Sequence, residues 1–221
     1  MDKTTIFSHV DHTLLAATSS WEEIKKLCGE AITYGVASVC IPSGYVKRVV
    51  DTYGEKVTVC TVVGFPLGYQ KTEIKVAETN AAILDGAKEV DMVINIGDVK
   101  NGDFELITTE IKTLKEAVGD KVLKVIIETC YLTGDEKIKL CKCVTEAGAD
   151  YIKTSTGFGN AGATREDIML FKQHIGPYVK IKAAGGIRTV DDMVDFIELG
   201  CERLGTSSAV KILSGDKAGG Y

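Results

Sequence analysis

The feature that most constrains this chain is an alternation kept up from end to end. Short apolar runs rich in β-branched residues occupy 7–11, 36–41, 57–64, 89–96, 122–128, 150–154, 179–184 and 203–205. Between them lie longer stretches with helical spacing of apolar residues, over 21–34, 45–53, 72–85, 104–118, 135–147, 165–175 and 190–199, and a last short helix is expected to start at Ser207. Short unbroken apolar runs suit buried strands, and a period of about 3.6 suits helices. Eight strand-then-helix units in one chain predict an α/β protein built as a (β/α)8 TIM barrel. A doubly wound open sheet also buries its strands on both faces and is the rival. No Gly-x-Gly-x-x-Gly follows the first strand, which disfavours the dinucleotide-binding form of that rival.

Local signals agree with the alternation. Ser20-x-x-Glu23 and Thr133-x-x-Glu136 have capping-box form, and Thr164-x-x-Asp167 and Thr189-x-x-Asp192 resemble it with Asp in place of Glu. Gly35, Gly86, Gly148 and Gly200 follow helices, where a left-handed residue is often needed. The expected organisation is a single barrel domain over 1–221 with a short mobile tail at about 214–221. A chain of 221 residues buries about 70% of its unfolded surface, enough for a core without disulfides or structural metals.

Composition excludes several partners. The formal net charge is −5, with both signs spread along the chain and no basic stripe, so nucleic acid is not expected. A phosphate needs only one local site and is not excluded. The seven cysteines are odd in number and form no Cys-x-x-Cys pair; Cys141 and Cys143 alone do not make a zinc site. The start Met1-Asp2-Lys3 has no export-signal pattern, and no run of 18 apolar residues occurs, so neither membrane nor metal is expected and the cytoplasm is the expected location.

Barrel enzymes draw their chemistry from the C-terminal ends of strands. The sixth strand ends at Lys153 before Thr154-Ser155-Thr156-Gly157, and the seventh carries Lys182 before Ala183-Ala184-Gly185-Gly186. Two neighbouring ammonium groups disfavour each other's charged form, one recognised way to make a nucleophilic lysine. A single strand-end lysine is more often a surface residue with a packed stem; two on adjacent strands, both before small-residue turns, favour chemistry. Asp91 stands in the apolar run Glu89-Val90-Asp91-Met92-Val93, where an ionised carboxylate needs a partner. Asp11 is a candidate for the same cluster, with a turn or cap as its alternative. Lys124, early in its strand, lies deep or faces the helices, and Glu128 lines the site without an assignable role. His9, His12 and His174 form no ligand pattern, and Cys40 reads as a packed thiol near the pocket.

A phosphate can lie against the loops after the seventh and eighth strands of a barrel. Gly185-Gly186 occupies the first, and Thr206-Ser207-Ser208 opens the last helix. Glycines admit close approach to backbone N–H groups, and serines add hydroxyl donors. Thr156 and Gly157, after the sixth strand, join this set as binding candidates.

These segments together resemble the deoxyribose-phosphate aldolase family. The matching stretches include Asp11-His12-Thr13-Leu14-Leu15, Val39-Cys40-Ile41-Pro42, Val63-Gly64-Phe65-Pro66-Leu67-Gly68, Lys124-Val125-Ile126-Ile127-Glu128-Thr129, Tyr151-Ile152-Lys153-Thr154-Ser155-Thr156-Gly157-Phe158, Lys182-Ala183-Ala184-Gly185-Gly186-Ile187-Arg188 and Gly205-Thr206-Ser207-Ser208, in order through nearly the whole chain. The resemblance implies reversible cleavage of 2-deoxy-D-ribose 5-phosphate to D-glyceraldehyde 3-phosphate and acetaldehyde in deoxyribose phosphate catabolism, without metal or organic cofactor, in a homodimer. It assigns the Schiff base to Lys153, proton transfer to Asp91 and Lys182, a supporting relay to Asp11, and phosphate contacts to Gly185, Gly186, Ser207 and Ser208. It makes the terminal Tyr221 a candidate for assisting proton transfer. Two positions depart from the family pattern: Phe158 stands where some members have a phosphate-contacting lysine, and Ala16 where many bacterial members have lysine. The rival activities are another Schiff-base aldolase or transaldolase, a non-covalent phospho-sugar isomerase, and a non-catalytic phosphate-binding protein.

Overall fold

The computed structural model of the chain describes residues 1–214. Within them eight parallel strands close into a barrel in sequence order: β1 (Val10–Thr13), β2 (Ser38–Ile41), β3 (Val59–Val63), β4 (Glu89–Val93), β5 (Val122–Ile126), β6 (Tyr151–Lys153), β7 (Lys180–Ala184) and β8 (Arg203–Thr206). The barrel is sealed where β1 pairs with β8, with Val10 beside Leu204 and Asp11 beside Gly205. Ten α-helices are interleaved among the described residues: α1 (Lys3–Ser8), α2 (Trp21–Tyr34), α3 (Val46–Tyr53), α4 (Thr72–Leu84), α5 (Ile96–Asn101), α6 (Phe104–Val118), α7 (Gly134–Glu146), α8 (Arg165–His174), α9 (Val190–Glu198) and α10 (Ala209–Ser214).

The expected caps form. Ser20 and Glu23 at the start of α2, Thr133 and Glu136 at α7, and Thr189 and Asp192 at α9 each make the reciprocal side-chain-to-backbone bonds of a capping box. Thr164 caps α8 by accepting from the Asp167 N–H. Gly35 ends α2 at φ +67°, a left-handed conformation that costs glycine little.

Two helices depart from the sequence reading, both six residues long. The run 7–11 reads as strand, yet Asp2 caps α1 by accepting from the Thr5 N–H, Ile6 and Phe7 are buried on that helix, and β1 begins only at Val10. The run 89–96 reads as one strand, yet β4 ends at Val93 and Asn95 caps α5. Six residues give too few turns for periodicity to register. The last helix starts at Ala209 rather than Ser207.

The apolar core lies mainly between barrel and helices, with Ile107, Ile111 and Leu114 of α6 and Ile168 and Phe171 of α8 packed against the outer faces of the strands. The barrel interior is different. Seven of its buried or part-buried side chains are charged, and they make up the site.

Candidate active site

Register places the charged side chains together. Lys153 and Lys182 are paired positions on β6 and β7, and Asp91 and Lys124 are paired on β4 and β5. All four are buried. Asp91 sits at the centre. Its Oδ2 accepts from the Nζ atoms of Lys153 and Lys182, each at 2.7 Å, and its Oδ1 accepts from Lys124 Nζ at 2.9 Å. Burial pushes the Asp91 carboxyl up, but the Lys124, Lys153 and Lys182 ammoniums outweigh it and hold the group well below the usual carboxylate range.

Asp11 joins the cluster as the second carboxylate. Its Oδ2 lies 2.5 Å from Lys182 Nζ, and its Oδ1 accepts from Ser38 Oγ at 2.8 Å and Arg203 Nη1 at 2.6 Å. Burial alone would push the Lys182 ammonium down; facing Asp11 and Asp91, it is raised far above its ordinary value instead. This corrects one expectation. The two lysines do not confront each other bare, because Asp91 Oδ2 accepts from both, and Lys182 is held charged. Room for its stem comes from β8, where a Cβ on Gly205 would lie 3.1 Å from Lys182 Cε.

A lower tier was not recognised in the sequence. Lys124, left open between a deep and a helix-facing position, points inward and donates to Glu89 Oε2 at 2.6 Å. Glu89 also accepts from both Arg203 Nη atoms, at 3.0 and 2.9 Å. Lys124, Lys153, Lys182 and Arg203 thus face Asp11, Glu89 and Asp91. A charged residue at the start of a strand resembles a surface residue until barrel closure turns it inward.

Above the lysines opens a cavity of about 480 Å³. Its wall brings together Lys153 and all six predicted binding residues, Thr156, Gly157, Gly185, Gly186, Ser207 and Ser208, and adds Arg188, Thr13 and Leu15. Gly157, Gly185 and Gly186 have φ of +88°, +77° and +75°, so a side chain at any of them is strained. The loop after β6 lies directly on the loop after β7: Ala163 N–H is shared between the carbonyls of Ala184 and Gly185, both at 3.1 Å. Thr156 has a different role from the other five. Its N–H donates to Glu128 Oε1 at 3.1 Å and its hydroxyl donates to Glu128 Oε2, so both its donors are committed to shaping the loop.

The remaining candidates fall elsewhere. Cys40 is fully buried beside Cys60, Val62 and Leu15 and is not on the cavity wall. Cys40, Cys60 and Asp91 place three donor atoms within 4.8 Å of one another. Both Asp91 oxygens already hold ammonium groups, and Lys124 Nζ stands 3.3 Å from Cys60 Sγ, so a metal cation there would be repelled. His12 turns outward, with Nε2 2.7 Å from Glu30 Oε2. Tyr221 lies outside the described residues. No helix among the described residues is long and apolar enough to cross a membrane.

Comparison with known proteins gives a consistent result. A family model described as DeoC/LacD family aldolase matches residues 2–212. A deoxyribose-phosphate aldolase of Clostridium botulinum is 63% identical over 221 residues, the full length of both chains. One from Clostridioides difficile is 59% identical over 216 residues, 98% of this chain and 99% of that one. Among solved structures, the tetrameric deoxyribose phosphate aldolase from Aeropyrum pernix matches with a TM-score of 0.87 at 30% identity, over 96% of this chain and 91% of that one.

Proposed function

The chain belongs to the DeoC/LacD family of aldolases and is a carbon–carbon lyase, and we propose that it cleaves 2-deoxy-D-ribose 5-phosphate reversibly through a Schiff base on Lys153. The observation that carries this reading is the position of the Lys153 amine. It lies 2.7 Å from Asp91 Oδ2 on one side and opens on the other into the cavity bounded by Gly185, Gly186, Ser207 and Ser208.

Attack on a carbonyl needs an unprotonated amine. Of the three lysines in the cluster, Lys153 is the one on the cavity wall, where its nitrogen can meet a carbonyl carbon. Its nitrogen adds to C1 of the open-chain sugar, and loss of water gives an iminium. Asp91, through Lys182 or a water, takes the C3 hydroxyl proton. Acetaldehyde keeps C1 and C2, so the bond that breaks is C2–C3, and its electron pair moves into the iminium as an enamine. Glyceraldehyde 3-phosphate leaves. The enamine is then protonated at C2 and hydrolysed, releasing acetaldehyde and restoring the amine.

The phosphate would rest against Gly185, Gly186, Ser207 and Ser208, with Gly157 adjoining and Arg188 supplying positive charge. Charge from Arg188 suits a chain with Phe158 in place of a lysine. This chemistry involves no metal or organic cofactor. Seven free cysteines fit the reducing cytoplasm and a role in deoxyribose phosphate catabolism. We propose a homo-oligomer, a dimer as the family resemblance implies, and light scattering of the purified protein decides between dimer and tetramer.

The test is covalent trapping. Incubation with deoxyribose 5-phosphate followed by borohydride places a reduced adduct on Lys153, located by peptide mass spectrometry and absent without sugar. No adduct, or one scattered over surface lysines, leaves a non-covalent phosphate-binding barrel as the better reading.

A further inference from the structure

Among the described residues Glu128 is the one non-glycine with a positive φ, +52°, at ψ +67°. Left-handed backbone is uncommon for residues with side chains and persists where the surroundings fix it. Here they do. Ile127 N–H donates to the Lys153 carbonyl at 3.1 Å and Thr129 N–H to the Thr154 carbonyl at 2.9 Å, tying the chain to the β6 segment on both sides of Glu128.

The turn aims a buried carboxylate at the loop after β6. Glu128 is 2% exposed. Its Oε1 accepts from the Thr156 N–H at 3.1 Å and its Oε2 from the Thr156 hydroxyl, while Thr156 Oγ1 accepts from the Phe158 N–H at 3.0 Å. Thr156 and Phe158 are therefore both anchored, and Gly157 is held between them at φ +88° on the cavity wall. Gly159 packs on the same carboxyl, where a Cβ would lie 3.2 Å from Glu128 Cδ. Burial pushes the Glu128 carboxyl up, against the opposing effect of the Thr156 bonds. The proposed bond-breaking chemistry gives Glu128 no task.

We infer that Glu128 is a positioning residue for phosphate recognition, its carboxylate fixing the 156–158 turn so that the Gly157 backbone faces the phosphate end of the cavity. This rests on the reading of that end as the phosphate subsite.

The test uses full-length Glu128→Ala and Glu128→Gln proteins. Steady-state cleavage of deoxyribose 5-phosphate is compared with that of unphosphorylated deoxyribose, and binding of inorganic phosphate is measured by calorimetry. Glu128→Ala is expected to raise KM for the phosphorylated sugar roughly tenfold, as expected for loss of a bond to a charged group. It should weaken inorganic phosphate by the same factor, with kcat held, the pattern of lost binding rather than lost chemistry. Glu128→Gln keeps one of the two acceptor oxygens and should show a smaller rise of the same kind, about threefold and confined to the phosphorylated sugar. An equal loss for both sugars, a fall in kcat at constant KM, or unchanged phosphate affinity overturns the inference. If Glu128→Ala does not fold, Glu128→Gln decides: a KM rise confined to the phosphorylated sugar supports the role, and its absence refutes it. Wild-type protein that binds no phosphate sinks the subsite and the inference together. Phosphate affinity that is present but indifferent to Glu128 sinks the inference alone.

Discussion

Lys153 and Lys182, side by side on β6 and β7, donate to the same oxygen of one carboxylate, each at 2.7 Å from Asp91 Oδ2. Their environments otherwise differ. Lys182 is also 2.5 Å from Asp11, while Lys153 borders the cavity. On the proposed mechanism the work is divided between them, one amine bonding to carbon and one remaining charged.

That division predicts separable variants. Lys153→Met should abolish both turnover and borohydride trapping. Lys182→Met should lose about 10²–10⁴-fold in kcat, the usual range for a general acid–base group, yet still form a reducible adduct at Lys153. The check is single-turnover trapping of both variants by mass spectrometry. An adduct that survives Lys153→Met would move the nucleophile elsewhere.

The charge cluster also sets a pH window for stability. The Asp91 carboxyl is depressed from 3.8, so its contribution is complete above the unfolded value and is lost as pH falls through the lower folded value. The Lys182 ammonium is raised from 10.5, so its contribution is complete below that pH and is lost as pH rises through the higher folded value. Between these limits Asp91 and Lys182 add no slope. Thermal midpoints against pH should show a plateau with an acid-side decline, and Asp91→Asn should flatten that decline. Removing the carboxylate leaves buried cations unbalanced, so Asp91→Asn should also cost about 3–5 kcal/mol near neutral pH, measured by urea unfolding.

Gly162 offers a steric test of the cavity wall. A Cβ there would lie 2.2 Å from the carbonyl carbon and oxygen of Gly185, a backbone that cannot swing aside as a flexible side chain would. Gly162→Ala should displace the Gly185-Gly186 loop and raise KM for the phosphorylated sugar far more than for unphosphorylated deoxyribose. Equal kinetics for the two sugars would separate this loop from phosphate binding.

A second buried ion pair lies outside the barrel interior. Lys75 Nζ is 2.9 Å from Glu110 Oε1 between α4 and α6, and it donates to the Val93 carbonyl at 2.8 Å. Burial pushes the Lys75 ammonium down and the Glu110 carboxyl up, each despite the other's opposing charge. Desolvation therefore exceeds the attraction, and the paired replacement Lys75→Met with Glu110→Leu should be neutral or stabilising by up to about 4 kcal/mol. Lys75→Met alone should cost about 3–5 kcal/mol. Chemical denaturation of the three proteins checks this, and a double variant as weak as the single one would refute it.

The sequence made the upper tier of the site legible because its members break local rules. Asp91 is a carboxylate within an apolar run, and Lys153 and Lys182 end strands before small-residue turns. The lower tier broke no such rule. Glu89 and Arg203 begin their strands, where charge is ordinary, and only closure of the barrel turns them inward. Glu128 was expected to line the site, but it stands behind the cavity wall on Thr156, because the left-handed turn that aims its carboxylate there leaves no mark on an apolar pattern. The helices α1 and α5 were hidden by their shortness. The sequence reading placed Asp91 in the lysine cluster but weighed the two ammoniums against each other alone, without the carboxylate oxygen that both reach.

The seven charged side chains of the cluster come from six strands, and Arg203 on β8 grips Asp11 on β1 across the seam where the barrel closes. A chain emerging from the ribosome carries Lys153 well before it carries Arg203. Until the final strand docks against the first, the carboxylates lack their full set of counterions and the amine has no cavity wall to face. Catalysis is thus gated by topology: half a barrel should have no fraction of the activity, and regain of turnover during refolding should coincide with ring closure rather than with the gain of helix.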